Sequence, residues 1–214
     1  MSSNLNPQKA LIFRIVHRDN VPFILENGVH CRNSKCHDPN YVNIGNPDLI
    51  DKRSGRALPS PPGGTLSDVV PFYFTPYSPM LYNIRTGYAG IVKRANEEIM
   101  ILVSSLHKLV KEEKPFIFSD RHAYLAAANF YSDIARLDQI DWSILQRRDF
   151  KRDVDDPGKV ERYQAEALVL NMMPCEALLG VVCYNDLVAA GLKNRISKRG
   201  LTLPVHVKPS WYFS

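Results

Sequence analysis

An α+β domain is what this chain predicts, on three observations. Apolar runs of strand length recur at 10–17, 69–74, 99–103, 116–118 and 179–184. Short helical stretches lie among them irregularly, without the strict alternation of a doubly wound parallel sheet. The chain has 214 residues, 45% of them hydrophobic and 23% charged, which suits one domain that folds without disulfide or metal.

Ala10 to His17 reads as a buried first strand. Asp19 or Asn20 then caps a short helix whose inner face is Val21, Ile24 and Leu25, and Gly28 stands at its C-cap position. From 29 to 67, Asn, Asp, Gly, Pro, Ser and basic residues replace hydrophobic periodicity. Loops of that length inside a compact domain are functional or disordered. Tyr41-Val42-Asn43-Ile44 is too apolar for a plain linker, so this region reads as an ordered, ligand-associated excursion. Pro59 to Gly64 is a stiff stretch ending in a flexible hinge.

Val69 to Phe74 is the next strand, with Pro71 marking an edge or an irregularity. Thr75 to Tyr82 turns into a short helix. Ile99 to Val103 is buried strand, Leu106 to Glu113 helix, and Phe116 to Phe118 strand. Ser119 or Asp120 would cap a helix carrying Tyr124, Ala127, Ala128, Tyr131 and Ala135 on one face. A charged stretch from Gln146 ends in the turn signal Asp-Asp-Pro-Gly. Val160 to Asn171 has helical propensity but ambiguous pattern. Leu179 to Tyr184 is strand, and Asn185 or Asp186 caps a helix through about Arg195. Val205–Val207 and Trp211–Phe213 read as closing strands.

The formal net charge is +5 and the pI about 9.0, compatible with a phosphate-rich partner. Cys31, Cys36 and His37 are loosely spaced and no second ligand pair follows, so no metal is expected. Cys183 lies in an apolar run, where it acts as a small hydrophobe. No membrane-length apolar run occurs, and the start, Met1 to Lys9, is polar, so a cytoplasmic location is expected. Phosphate-binding loops, the hydrolase serine elbow and zinc-hydrolase or deaminase signatures are all missing.

Several segments together resemble the DarT family. They are Asp38 to Asn46, Lys52-Arg53, Pro61 to Asp68 running on through Tyr73 to Pro76, Ser78 to Tyr82, Ser119 to Ala123, and Tyr163 to Val169. They follow the family's order and cover almost the whole chain. The resemblance implies an ADP-ribosyltransferase fold over residues 1–214, a split mixed sheet gripping NAD as co-substrate. It implies transfer of one ADP-ribose to thymine in single-stranded DNA. It also implies the toxin of a toxin–antitoxin pair, whose DarG-like partner removes the mark with a macrodomain.

Glu166 matches the family's catalytic glutamate. A carboxylate beside the nicotinamide ribose holds its 2′-hydroxyl and favours the positive charge that develops as the glycosidic bond breaks. On a strand, Glu166 would share a face with Leu168 and Leu170; on a helix it would be a surface residue, and Glu161 is its neighbouring rival. Arg53 matches an arginine near the reacting centre. An arginine is a poor proton acceptor, so it would steady a thymine anion or the NAD pyrophosphate. Lys52 and Arg56 are equally charged neighbours.

For NAD, the candidates are Asn20, Asn43, Gly45, Asn46, Arg53 and Tyr73, with His17 serving unless the adenosine ribose is held differently. One departure stands out: where related transferases carry H-x-T or H-x-S in the first strand, this chain reads Arg14-Ile15-Val16 followed by His17. For DNA, the candidates are His122, Tyr82, Arg85, Arg148 and Lys151, combining charge with aromatic platforms. Two other readings compete. One is an NAD glycohydrolase or RNA 2′-phosphotransferase-like enzyme; the other is a non-catalytic basic nucleic-acid-binding module.

Overall fold

The computed structural model describes residues 5–214; the first four residues of the polar start lie outside it. Ten strands and seven α-helices are found among the described residues. The chain opens with β1 (Leu11–His17), α1 (Val21–Asn27) and β2 (Val29–His30). α2 (Pro47–Ser54), β3 (Val69–Tyr73) and α3 (Pro79–Thr86) follow. Next come β4 (Ile99–Ser105), α4 (Leu106–Lys111), β5 (Phe116–Ser119), β6 (Phe130–Tyr131) and α5 (Trp142–Arg147). The chain closes with α6 (Lys159–Tyr163), β7 (Glu166–Leu170), β8 (Met172–Met173), β9 (Gly180–Cys183), α7 (Asp186–Ser197) and β10 (Val205–Val207).

Eight strands form one mixed sheet in the order β10-β9-β4-β1-β3-β7-β5-β6, and β2 pairs with β8 separately. The sheet is two half-sheets. β1 and β4 pair over seven residues, Leu11↔Ser105 to His17↔Ile99, and β3 and β7 over five, Val69↔Leu170 to Tyr73↔Glu166. Between the halves, β1 and β3 share a single pair, Phe13↔Tyr73. Pro71 sits at this opening. Its carbonyl accepts a hydrogen bond from the Arg14 side chain on β1. A strand residue's N–H points to the same side as its C=O, so the missing proline donor falls where the ladder has already parted. The irregularity expected at Pro71 is this split.

The half-sheet around β4 is built mainly by hydrophobicity: all seven β4 residues are buried, five of them apolar, and Ser104 and Ser105 make hydrogen bonds. α1 packs Val21, Ile24 and Leu25 inward as its spacing predicts. Gly28 ends it with φ +80°, and a Cβ there would stand 2.6 Å from the Met173 carbonyl, so only glycine fits.

Two elements differ from the sequence expectation. The helix expected over Tyr124 to Ala135 does not form. The buried Asp120 carboxylate accepts the backbone N–H and the side-chain amide of Asn129, and its own N–H donates to the Asn129 carbonyl. The chain is thereby folded back, and β6 returns beside β5 (Ser119↔Phe130). Ala127 and Ala135 are exposed, while Tyr124 and Tyr131 pack against two different hydrophobic clusters, so the five residues form no single buried face. The strand expected at Trp211–Phe213 is instead a 3-10 turn over Pro209–Trp211, anchored by the Tyr77 hydroxyl donating to the Ser210 carbonyl.

Candidate active site

β7 resolves the ambiguity at Val160 to Asn171: α6 ends at Tyr163 and extended chain begins at Glu166. Leu168, on the same face as Glu166, is fully buried in a small cluster with Leu58, Leu66, Val69, Ile117 and Ala123. That packing outweighs helix propensity, and it places Glu166 at the end of the strand, 2% exposed. Glu161, by contrast, keeps a side chain that is 44% exposed.

Three elements converge on this carboxylate. Arg53, near the C-terminus of α2, grips it bidentately, Nη1 to Oε1 at 2.9 Å and Nη2 to Oε2 at 2.7 Å. The Ala123 N–H donates to Oε1 at 3.0 Å. Tyr73 is its register partner on β3. The Ser119 hydroxyl accepts the Glu166 N–H at 3.3 Å and itself donates to the Arg121 carbonyl. Oε1 thus accepts two donors from these groups and Oε2 one, leaving Oε2 with acceptor capacity for a further hydroxyl. Lys52 is exposed, and Arg56 turns away to the Leu125 carbonyl.

Burial alone would push the Glu166 carboxyl up; the charge and hydrogen bonds of Arg53, with the Ala123 N–H, outweigh it and hold Glu166 below the usual carboxylate range. Burial would lower Arg53, but Glu166 more than compensates and its pKa is raised. Arg53 is therefore a fixed cation and no proton acceptor. Burial, followed by the Glu166 charge, lifts the Tyr73 phenol to about 12, so it stays protonated.

His122 lies beside this centre, its Nδ1 3.7 Å from Glu166 Oε1. Nδ1 accepts the Tyr124 N–H at 3.2 Å, so it carries a lone pair and the ring proton belongs on Nε2. Burial is the largest cause holding the His122 pKa below its usual value, consistent with this neutral form.

A cavity of about 500 Å³ opens beside Arg53, walled also by Arg14, Arg32, Tyr41, Asn43 and Pro71. That is the size of a nucleotide site. The excursion 29–67 forms much of its wall and is held in place by polar contacts. Asn20, 1% exposed, exchanges both amide bonds with the Val42 backbone. Asn46 caps α2 through Leu49 N–H, Asn43 accepts the Gly45 N–H, and a Cβ on Gly45 would crowd Ile50 at 3.0 Å. Asp68 ties Asn33 to Thr65. His17 is buried between Glu98 and the Asp19 N–H. Among the NAD candidates, Asn43 and Arg53 line the cavity, and Asn20, Gly45 and Asn46 hold the excursion that walls it; Tyr73 stands opposite Glu166 on β3, and His17 lies outside the lining, against Glu98 and the Asp19 N–H.

The DNA candidates other than His122 gather elsewhere. Tyr82, 41% exposed, packs edge-on to Phe150 and Phe213. Arg148 stands 3.6 Å over the Tyr77 ring and lines a second cavity of about 400 Å³ with Phe13, Val182 and Trp211. Lys151 is exposed, and Arg85 buries an Nε that has no partner. Cys31 and Cys183 are buried, and no cluster of three or more His, Cys, Asp or Glu able to hold a metal occurs among the described residues. No helix among them is long and apolar enough to cross a membrane. The Asn20–Val42 pairing and the Ala123 N–H are not in the sequence reading, because each acts through backbone proximity that no local pattern encodes.

The family model described as ssDNA thymidine ADP-ribosyltransferase, DarT, matches residues 13–213. A DNA ADP-ribosyl transferase of Escherichia coli O127:H6 (strain E2348/69 / EPEC) is 56% identical over 100% of this chain and 98% of the relative. The solved structure of Thermus sp. 2.9 DarT in complex with ADP-ribosylated ssDNA superposes with TM-score 0.88 at 31% identity, over 97% of this chain and 98% of that one. Its complex with NAD+ gives 0.85, over 97% and 99%. A DNA ADP-ribosyl transferase-DNA ADP-ribosyl glycohydrolase fusion protein of Thermosipho africanus (strain H17ap60334) is 24% identical over 97% of this chain and 50% of its own length.

Proposed function

The chain belongs to the DarT family of single-stranded-DNA thymidine ADP-ribosyltransferases, using NAD as co-substrate, and from that premise we propose how its residues divide the work. Glu166 receives the 2′-hydroxyl of the nicotinamide ribose at Oε2, the oxygen with the fewer protein donors. Its ionised carboxylate, out of water, favours the positive charge growing at C1′ as the C–N bond breaks and neutral nicotinamide leaves with the electron pair. Thymine N3 loses its proton and bonds to C1′; the products are nicotinamide, ADP-ribosyl-thymine and one proton.

Arg53 stays charged throughout. It aligns Glu166 in the resting site, and its guanidinium is the cation that meets the negative charge of deprotonated thymine. His122, with its proton on Nε2, donates rather than accepts, which suits a carbonyl or phosphate oxygen of the incoming nucleotide. The observation that carries this assignment is the bidentate Arg53–Glu166 pair, whose arginine lines the cavity.

The fused transferase–glycohydrolase relative supports reading this chain as the toxin of a pair. Its counterpart would be a macrodomain antitoxin that hydrolyses the mark. The test incubates the protein with labelled NAD and short DNA and RNA oligonucleotides, followed by mass analysis. One ADP-ribose on thymine-containing single-stranded DNA is expected, and Glu166→Gln should lower kcat by roughly 10²–10³-fold or more. Free ADP-ribose with unmodified oligonucleotides would favour a glycohydrolase, and full activity of Glu166→Gln would remove that residue from the mechanism.

A further inference from the structure

The second cavity, of about 400 Å³, plays no part in the chemistry at Glu166, yet it falls in the size range of small-molecule sites, roughly 300–1,000 Å³. Leu11 and Phe13 of β1 line it, with Val103, the partner of Phe13 on β4, and Val182 on β9. Side chains alternate along a strand, and Arg14 lines the cavity beside Arg53, so the two cavities lie on opposite faces of this half-sheet. Tyr77 and Trp211 complete the wall. The Trp211 ring meets Phe13 edge-on at 5.4 Å, and the Tyr77 hydroxyl donates to the Ser210 carbonyl.

The rim is cationic. Arg148, His206 and Lys208 line the cavity and are exposed, and no carboxylate lines it. Arg148 and Lys208 form no ion pair among the described residues, although the charged stretch nearby is paired, Lys159 with Asp149 and Asp153 and Arg162 with Asp141 and Asp156. Arg148 is also held in an uncommon backbone state. It ends α5 in the left-handed region, φ 57° and ψ 34°, where glycine or asparagine is the ordinary choice. In that conformation its guanidinium stands 3.6 Å over the Tyr77 ring, at the cavity wall. An apolar, aromatic floor thus meets unpaired positive charge at its edge. A long aliphatic chain needs no aromatic wall. A planar ring carrying a phosphate uses both features, through aromatic contact and through charge-assisted hydrogen bonds.

We propose that this cavity is a nucleotide subsite separate from the one beside Arg53, its aromatic floor receiving a base and Arg148 with Lys208 the attached phosphate. Two sources carry that chemistry: a free mononucleotide, and a nucleotide of the DNA strand that flanks the target thymine. Only the second source rests on the DNA-transferase reading above.

The experiment titrates the isotope-labelled full chain with dTMP, thymidine and octanoate, following backbone amide signals by NMR. dTMP should shift Val103, Gly180 and Val182, which line the cavity, and thymidine should bind about tenfold or more weaker. Arg148→Gln/Lys208→Gln should bring dTMP down to the thymidine level. Lys208→Gln alone, at an exposed position, should weaken dTMP in part and carries the test if the double variant fails to fold. Shifts confined to Asn43 and Arg53, unchanged dTMP affinity in the variants, thymidine binding as well as dTMP, or octanoate binding more tightly than dTMP would each overturn the proposal. Kinetics with thymine-containing oligonucleotides of increasing length then separate the sources. For a strand-borne nucleotide, KM should fall once the strand reaches the cavity, and Lys208→Gln should abolish that fall. For a free nucleotide, KM should not depend on length, and dTMP should bind alongside the oligonucleotide. A protein that takes up dTMP as stated but transfers nothing to DNA would sink the functional reading and leave the subsite standing.

Discussion

Two groups of paired charges, each a basic side chain held by carboxylate, do different things in this molecule. Arg53 and Glu166 meet in the interior, with side chains 15% and 2% exposed. Nearer the surface, Arg162 holds Asp141 and Asp156, and Lys159, its own side chain 8% exposed, holds the more exposed Asp149 and Asp153. The surface pairs fold the charged stretch after Gln146 back on itself, so much of its positive charge is matched internally. Water and salt weaken such pairs, and their worth is small. The interior pair has lost its water, so each partner depends on the other. A pair of that kind is weak evidence for stability alone, and the cavity that Arg53 lines gives the chemical reason for keeping it.

The largest effect that would sharpen this contrast is the removal of one interior partner. Arg53→Met leaves the Glu166 carboxylate buried and unpaired. Stability should fall by about 3–5 kcal/mol, or roughly 6–20 °C in Tm for a domain of this size. The double variant Arg53→Met/Glu166→Leu should recover most of that loss while remaining inactive. Thermal unfolding checks both. A double variant as unstable as the single one would mean that the pair is held for folding, and the contrast would break.

Legibility in the sequence follows the same divide. Where hydrophobic periodicity decides, the elements are readable: β1, β4, α1 and α7, with Asn185 capping α7 through Val188 N–H. Around the site, polar contacts between distant segments decide. The face of Tyr124 and Ala128 has helical spacing, yet the Asp120–Asn129 bonds reverse the chain. α2 buries none of its residues, so no apolar stripe announces the helix that carries Arg53. Glu166 was reachable through the resemblance, with the Leu168–Leu170 face as support. Arg14 was visible only as a departure, because its meaning depends on a split between strands 57 residues apart.

A smaller effect concerns pH. Burial holds the His122 imidazole below its usual value of 6.5. A depressed pKa means that the unfolded chain binds the proton more readily. The stability contributed by neutral His122 is therefore complete above about pH 6.5 and is lost as pH falls through the lower folded value. Glu166, also depressed, stays ionised until below the ordinary carboxylate range. NMR titration of the His122 ring should show Nδ1 unprotonated at pH 7 and a midpoint below 6.5. A midpoint above 6.5 would put a proton on Nδ1 and make His122 an ionic partner of Glu166, erasing the difference between its neutral environment and the charged pair.

The smallest effect tests the surface side. Arg162→Gln removes both ion pairs of α6 to Asp141 and Asp156, which sit in solvent-screened positions. Tm should drop by only about 2–4 °C, with kcat within about twofold of wild type, and the drop should shrink as salt rises from about 50 to 500 mM. The Arg53→Met deficit should persist over the same range, because counterions do not reach a carboxylate that is 2% exposed. α6 makes this comparison demanding: it leads into Glu166, and its Glu161 carbonyl accepts the His122 N–H. If Arg162→Gln instead lost activity out of proportion to stability, the surface network would be positioning the site through α6, and the two groups of charges would be one system rather than two.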